Sequence, residues 1–185
     1  MTFNILPQQK GLKTAFWQAA RHDGGIAATE FAMILPFLLL ILMGVIELSN
    51  AMTAKRKLLN AVQSASDLIG QNTDVTSTDL DSIYLAAALT MDPLDTSSLT
   101  IGVSSVRFDD TTGAPAEDWT DSYNGGTVYL PLDKATGRGE AGASIVIVTG
   151  TYTYQPLIKL IIPASFTLNE IAYVRPRKVS YIMKF

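Results

Sequence analysis

Few residues in this chain have the types and spacing that catalysis requires. Its 185 residues include one histidine, His22, and no cysteine. His22 precedes a long apolar segment, so we expect no serine–histidine or zinc arrangement, and no thiolate or disulfide site is possible without cysteine. The sequence therefore predicts a protein that is not an enzyme, with no catalytic residues, no metal site and no cofactor.

Two patterns resemble ligand sites but favour simpler interpretations. The stretch GRGEAG, from Gly137 to Gly142, matches the dinucleotide pattern G-x-G-x-x-G. It precedes a predicted strand instead of following one, which favours a turn. Four aspartates in a predicted loop over residues 109–126 could offer oxygen ligands to calcium: Asp109, Asp110, Asp118 and Asp121. They lack the spacing of an EF-hand loop, so a solvated acidic loop is favoured and calcium binding is left open.

Glu30 is the most informative ionisable group, because a carboxylate near hydrocarbon costs a few kcal/mol on insertion scales. It lies at the start of an apolar segment, and Glu47 lies at the other end. Each could simply mark a lipid boundary, which we expect for Glu47. Alternatively, a cut after Gly25 would leave the charged amine of Ile26 four residues from Glu30, where the two charges would offset one another.

The apolar segment predicts a membrane helix. Residues 31–46 contain no charge, and with their flanks they approach the roughly 20 residues that span a bilayer. The segment is longer than a usual signal-peptide core. Beyond it, an apolar stripe predicts a helix that continues to Gly70, formed by Leu58, Val62, Ala65 and Ile69. We therefore divide the chain into a basic leader (1–25), a long helix (26–70, transmembrane over about 26–48) and a domain (71–185).

The remaining residues predict an α+β fold with a small antiparallel β-sheet. Thr78 is expected to cap a second, short helix that ends near Met91, with Leu80, Ile83, Tyr84 and Ala87 on one face. Runs of β-branched and aromatic residues predict strands at 99–108, 144–154 and 165–174, and two short edge strands at 127–132 and 179–185.

Charge excludes one class of partner. From Leu58 onward the chain has 14 acidic and 8 basic residues, which argues against nucleic acid, since phosphate binding needs a concentrated positive surface. Orientation in the membrane is not decided by charge, because three basic residues precede the apolar segment and three follow it: Lys10, Lys13 and Arg21, and Lys55, Arg56 and Lys57.

The stretch from Gly25 to Phe31, GIAATEF, resembles a type IV prepilin cleavage site, with glutamate at the fifth mature position and an aromatic residue at the sixth. The longer stretch GGIAATEFAMILPFLLLILMGVIEL is similar to the TadE-like family of minor pilins, or pseudopilins, of tight-adherence (Tad, or Flp) pilus systems. Two distal motifs also resemble that family: TYTYQPL, with Tyr152, Tyr154 and Pro156, and VRPR, with Arg175, Pro176 and Arg177.

This resemblance implies a pilin-like fold and a non-enzymatic role in pilus assembly. It implies cleavage between Gly25 and Ile26 by a prepilin peptidase, and roles in assembly for Glu30 and Phe31. The implied partners are the Tad assembly platform, other minor pilins, the major Flp pilin and the lipid bilayer. The implied location is the bacterial inner membrane, with a single span and a periplasmic C-terminal domain. Entry into the filament is left open, as is the alternative of an unprocessed, signal-anchored periplasmic binding or sensory module.

Overall fold

The structure, a computed structural model, describes residues 23–185 except residues 131 and 138. Most of the predicted leader, including His22, lies outside the described residues. The chain divides into two compact units, Met1–Ile46 and Glu47–Phe185. The first unit contributes the apolar half of a long helix, and the second is an α+β domain that includes the other half of that helix.

The long helix, α1, is described over Asp23–Gly70, with Pro36 inside it; it ends at the predicted residue and includes the predicted range of 26–70. Its half in the second unit buries a stripe of residues at alternating spacings of three and four, which places them on one face. The four residues that predicted this helix are all fully buried, and three alanines extend their stripe: Ala51, Ala54 and Ala61. Small residues let the helix approach the sheet closely.

The second helix, α2, spans Ser77–Leu89 and confirms the predicted short helix, but its cap differs. Thr76 is the N-cap: its hydroxyl accepts from Asp79 N at 3.2 Å, and the Asp79 carboxylate accepts from Thr76 N at 2.9 Å. Prediction of Thr78 as the cap was wrong, because this reciprocal pair satisfies the helix start two residues earlier. The helix also ends two residues before Met91, and the predicted face is buried.

The main sheet has four antiparallel strands: β2 (Leu99–Phe108), β3 (Pro115–Tyr123), β4 (Ser144–Tyr154) and β5 (Phe166–Val174). Their order in the sheet is β3-β2-β4-β5, and the central strands β2 and β4 have the predicted bounds. A separate pair joins β1 (Asp74–Val75) to β6 (Met183–Lys184) in parallel. Short helical turns occur at Thr96–Ser98 and, as α3, at Leu132–Ala135. The α+β class with a small antiparallel sheet is thus confirmed.

Two segment predictions were wrong. Pro115–Tyr123, predicted as part of an acidic loop, is strand β3, paired with β2 from Phe108↔Pro115 to Ile101↔Tyr123. Its acidic residues suit an edge strand, whose charges oppose pairing with other chains. The described residues of the segment 127–132 form no strand and cross the sheet on the way to α3. In the segment 179–185, only the two residues of β6 pair with another strand.

The core lies between one face of the sheet and the two helices. It includes Leu58 and Val62 of α1, the buried face of α2, and alternate residues of β2 and β4. A Cβ atom at Gly150 would lie 2.3 Å from Val62 Cγ2, so glycine is required where β4 crosses the helix. A smaller cluster on the opposite face packs Ala135 against Phe108 and Ile145.

Candidate functional site

The predicted cleavage and assembly residues lie in the apolar half of α1, close to where the described residues begin. Gly25, Ile26, Glu30 and Phe31 are all exposed in the first unit. The helix brings residues four apart to the same face, so Ile26 and Glu30 are neighbours on its surface. Thr29 Oγ1 donates a hydrogen bond to Ile26 O at 2.7 Å. A new amine at Ile26 would therefore lie one helical turn from the Glu30 carboxylate.

The apolar half of α1 exposes nearly all of its large side chains. Within the described residues, one helix is long and apolar enough to cross a membrane, with a mean hydropathy of 2.6 in its most apolar window. In the window only 6% of residues are buried within the protein. An apolar helical segment of this length that packs against no protein core indicates a membrane anchor.

Glu47 is the main residue whose role the sequence did not reveal. It is fully buried, and its two carboxylate oxygens accept three hydrogen bonds. Oε1 accepts from Tyr154 Oη at 2.7 Å and from Leu157 N at 3.2 Å, while Oε2 accepts from Ile158 N at 2.9 Å. Glu47 is therefore more than the lipid-boundary marker we expected: it joins α1 to the chain that leaves β4.

The TYTYQPL motif supplies the other side of this contact. Tyr152, Tyr154 and Pro156 are all buried, where β4 ends and the chain turns away. Burial, reinforced by the hydrogen bond to Glu47, raises the pKa of Tyr154 to about 12, so its hydroxyl keeps the donor proton at neutral pH. The Tyr154 ring also lies 5.4 Å from the Phe166 ring on β5. The motif thus fixes the end of β4 to the helix.

The VRPR motif contacts the other end of the same half-helix. Arg177 Nη2 lies 2.7 Å from Asp67 Oδ1, and Arg177 N donates to Gly70 O at 2.9 Å. A Cβ at Gly70 would lie 2.7 Å from a Val174 methyl group, so the chain passes close to the helix end. Arg175 is exposed and Pro176 is half-buried. Both distal motifs therefore attach to α1, about 20 residues and roughly 30 Å apart along its axis.

A third contact joins the C-terminus to the sheet edge. Asp121 on β3 accepts a hydrogen bond from Tyr84 Oη at 3.1 Å and forms an ion pair with Lys184. Trp119 Nε1 donates to Ile182 O at 2.8 Å. Burial raises the pKa of Tyr84, and the negative charge of Asp121 adds to the shift. These contacts explain why the acidic segment is a strand: two of its side chains hold α2 and the C-terminal residues.

The four aspartates that could offer ligands to calcium have separate local partners. Asp109 accepts hydrogen bonds from the backbone N–H of Thr112 and then of Thr111, which lower the pKa of its carboxyl group, while Asp118 accepts from Ser105 Oγ. No group of three or more His, Asp or Glu is placed for a metal ion among residues 23–185 outside the gaps at 131 and 138. In GRGEAG, Gly137 and Gly142 have φ of +76° and +78°, which suits the predicted turn.

The described chain defines a class: a helix with the features of a membrane anchor, continued by an amphipathic half that packs in a small α+β domain. Within this class, residues 25–67 match the family model of TadE-like proteins. The match agrees with the resemblance seen in the sequence, and it covers 43 of the 185 residues. No curated protein and no solved structure matches the chain. The distal motifs lie outside the matched residues but contact two residues within them, Glu47 and Asp67.

Proposed function

We propose that this protein is a minor pilin, or pseudopilin, that supports assembly of a Tad pilus and has no catalytic activity of its own. The observation that carries the proposal is the TadE-like match on a helix whose apolar half faces no protein core. Such a helix can pack against the helices of other subunits in a bilayer. Its proposed partners are the assembly platform, other minor pilins and the major Flp pilin.

Processing by a prepilin peptidase is the first step of the proposed mechanism. Only a cut between Gly25 and Ile26 places Glu30 fifth and Phe31 sixth in the mature chain. The bond lies within α1, and the two adjacent glycines, Gly24 and Gly25, lower the local cost of unwinding the helix by about 1 kcal/mol each relative to alanine. These glycines would help the peptidase to open the helix at the cut.

Mass spectrometry of the mature N-terminus tests the processing step. We expect a chain that begins at Ile26, and an uncut precursor from Gly25→Val, because a β-branched side chain would crowd a site shaped for glycine and would stiffen the turn. Gly44→Val, a matched control in the same helix, should be cut normally. Normal mature protein from Gly25→Val would contradict the proposal, and an uncut wild-type chain would favour the signal-anchored binding module.

Glu30 is proposed to fix the position of the helix during assembly. After cleavage, the Ile26 ammonium of a neighbouring subunit could pair with the exposed Glu30 carboxylate in the bilayer. Breaking one side of a desolvated pair costs about 3–5 kcal/mol, because the other charge is left without a partner. Replacing the carboxylate by an amide should ease insertion, since it removes a charge from the apolar region.

Crosslinking and filament counts test this role. Glu30→Gln should be made, cleaved and stable, but should lose its crosslinks to pilus proteins and fail to support piliation. Glu140→Gln removes the same charge from an exposed site in the domain and should behave as the wild type. Wild-type crosslinks and piliation in the Glu30→Gln strain would show that Glu30 only marks the lipid boundary.

The domain is proposed to lie in the periplasm, attached to the inner membrane by one helix. A reporter that is active only in the periplasm should be active when it is fused after Phe185. A cytoplasm-only reporter at the same position should be silent. The reverse result would invert the topology and remove the pilin proposal.

A further inference from the structure

The chain that follows β4 forms an apolar loop with two strongly exposed leucines. The sequence from Pro156 to Pro163 is PLIKLIIP, and a turn within it is closed by a hydrogen bond from Ile161 N to Ile158 O at 3.0 Å. Leu157 and Leu160 are 79% and 74% exposed, among the most exposed leucines of the described chain. Moving these two side chains out of water and into an apolar environment would be favourable.

Hydrogen bonds hold this loop against Glu47. Leu157 N and Ile158 N both donate to the Glu47 carboxylate. In the chain, Glu47 directly follows Ile46, the last residue of the apolar segment that indicates the membrane anchor. If that segment fills the hydrocarbon, Glu47 lies at its edge, and the loop held by Glu47 lies there too.

The charge pattern of the loop suits a lipid surface. Lys159 lies between the two exposed leucines, and its side chain can extend toward headgroups while the leucines enter the acyl boundary. About two turns further along α1, Arg56 is exposed and adds positive charge, while the neighbouring Lys55 forms an ion pair with Glu170 at 3.4 Å. Basic residues close to the surface attract anionic lipids.

We propose that the loop of residues 156–163 is a second membrane contact, in which Leu157 and Leu160 insert into the leaflet where α1 leaves the bilayer. Apolar side chains of interfacial segments reach about 5–10 Å into the headgroup and acyl boundary. The Glu47 contact holds the loop beside the helix, so the domain is attached to the membrane at two points. This proposal depends on the membrane anchor and is independent of the role in pilus assembly.

Single-cysteine labelling tests the contact directly, because the natural chain contains no cysteine. Leu157→Cys and Leu160→Cys variants of the full chain carry an environment-sensitive fluorophore, with one chain in each lipid nanodisc of phosphatidylethanolamine and phosphatidylglycerol. Both substitutions remove exposed side chains and keep the backbone donors to Glu47. Phe185→Cys is the matched control: Phe185 is 72% exposed and its N–H is bonded to Val75, beyond the Gly70 end of α1.

We expect blue-shifted emission at positions 157 and 160, and quenching by lipids that carry a spin label near the headgroup. The label at 185 should report water and should not be quenched. Labels at 157 and 160 that are as solvated and as unquenched as the one at 185 would overturn the proposal. Protection that occurs only when two copies or other pilus proteins share the disc would also overturn it, and would assign the loop to a protein interface.

Discussion

Removal of the Tyr154 hydroxyl, in the variant Tyr154→Phe, tests whether the contact with Glu47 stabilises the domain. The hydroxyl donates to Glu47 Oε1 at 2.7 Å, and both residues are buried, so water cannot easily replace either partner. A hydrogen bond to a charged group contributes about 1.5–3 kcal/mol to stability. Tyr154→Phe should lower the free energy of unfolding by about that amount.

Glu47→Ala should cost more than Tyr154→Phe, because it leaves three donors without their acceptor. Leu157 N and Ile158 N lie in partly exposed chain and can recruit water, whereas the Tyr154 hydroxyl cannot. Each single variant loses the Tyr154–Glu47 hydrogen bond, and the double variant loses the same bond only once. The sum of the two single losses in unfolding free energy should therefore exceed the loss in the double variant by about 1.5–3 kcal/mol.

Urea unfolding of the full chain in detergent micelles measures these differences through the fluorescence of Trp119. That side chain is half-buried and bonded to Ile182 O, so it reports loss of the domain. Trp17, the other tryptophan, is replaced by Phe in every sample. Tyr152→Phe, which removes a hydroxyl with no part in the Glu47 contact, should show no coupling with Glu47→Ala, so that the two effects add. Additive effects of Glu47→Ala and Tyr154→Phe would refute the reasoning.

Three further results are expected from the same assay. Gly150→Ala should destabilise the domain by about 1–3 kcal/mol, because the new methyl group would overlap Val62. Adding Val62→Ala in the same chain should recover part of that loss. No recovery would contradict the close approach of Gly150 to Val62. Arg177→Ala should cost less than about 1 kcal/mol, because its ion pair with Asp67 is exposed and its backbone hydrogen bond remains; a larger loss would mean that the pair is better shielded than its exposure indicates. The pKa of Tyr154 is raised from 10.0 to about 12, so the stability linked to its neutral form is fully present below about pH 10 and is lost as the pH rises through 12. Tyr154→Phe cannot ionise at this position and should lose less stability over that pH range than the wild type. Identical pH profiles of the two proteins would contradict this expectation.

Local patterns predicted most of the fold. Spacings of three and four predicted the packed half of α1, and dense β-branched runs predicted β2 and β4 to the residue. Strand β3 was missed because acidic residues and two glycines at its end are typical of a loop. Its extended conformation depends on pairing with β2 and on contacts with α2 and the C-terminus, which no local window contains.

The role of Glu47 could not be predicted from the residues around it in the sequence. Its partners are more than 100 residues away, so composition near the membrane segment favoured a boundary residue. One signal was available: Glu47 precedes Ala51, Ala54 and Leu58 at spacings of four, three and four, so it continues the buried stripe of α1. A carboxylate on a buried stripe requires donors, and the TYTYQPL motif supplies them.

Counting pili in a strain that lacks this chain tests the central claim most directly. The comparison strain carries the wild-type chain at its natural level, and filaments on single cells are counted by electron microscopy. We expect the strain without the chain to lose most or all of its Tad pili, and the wild-type chain to restore them. A normal number of pili in the absence of the chain would contradict a role in pilus assembly.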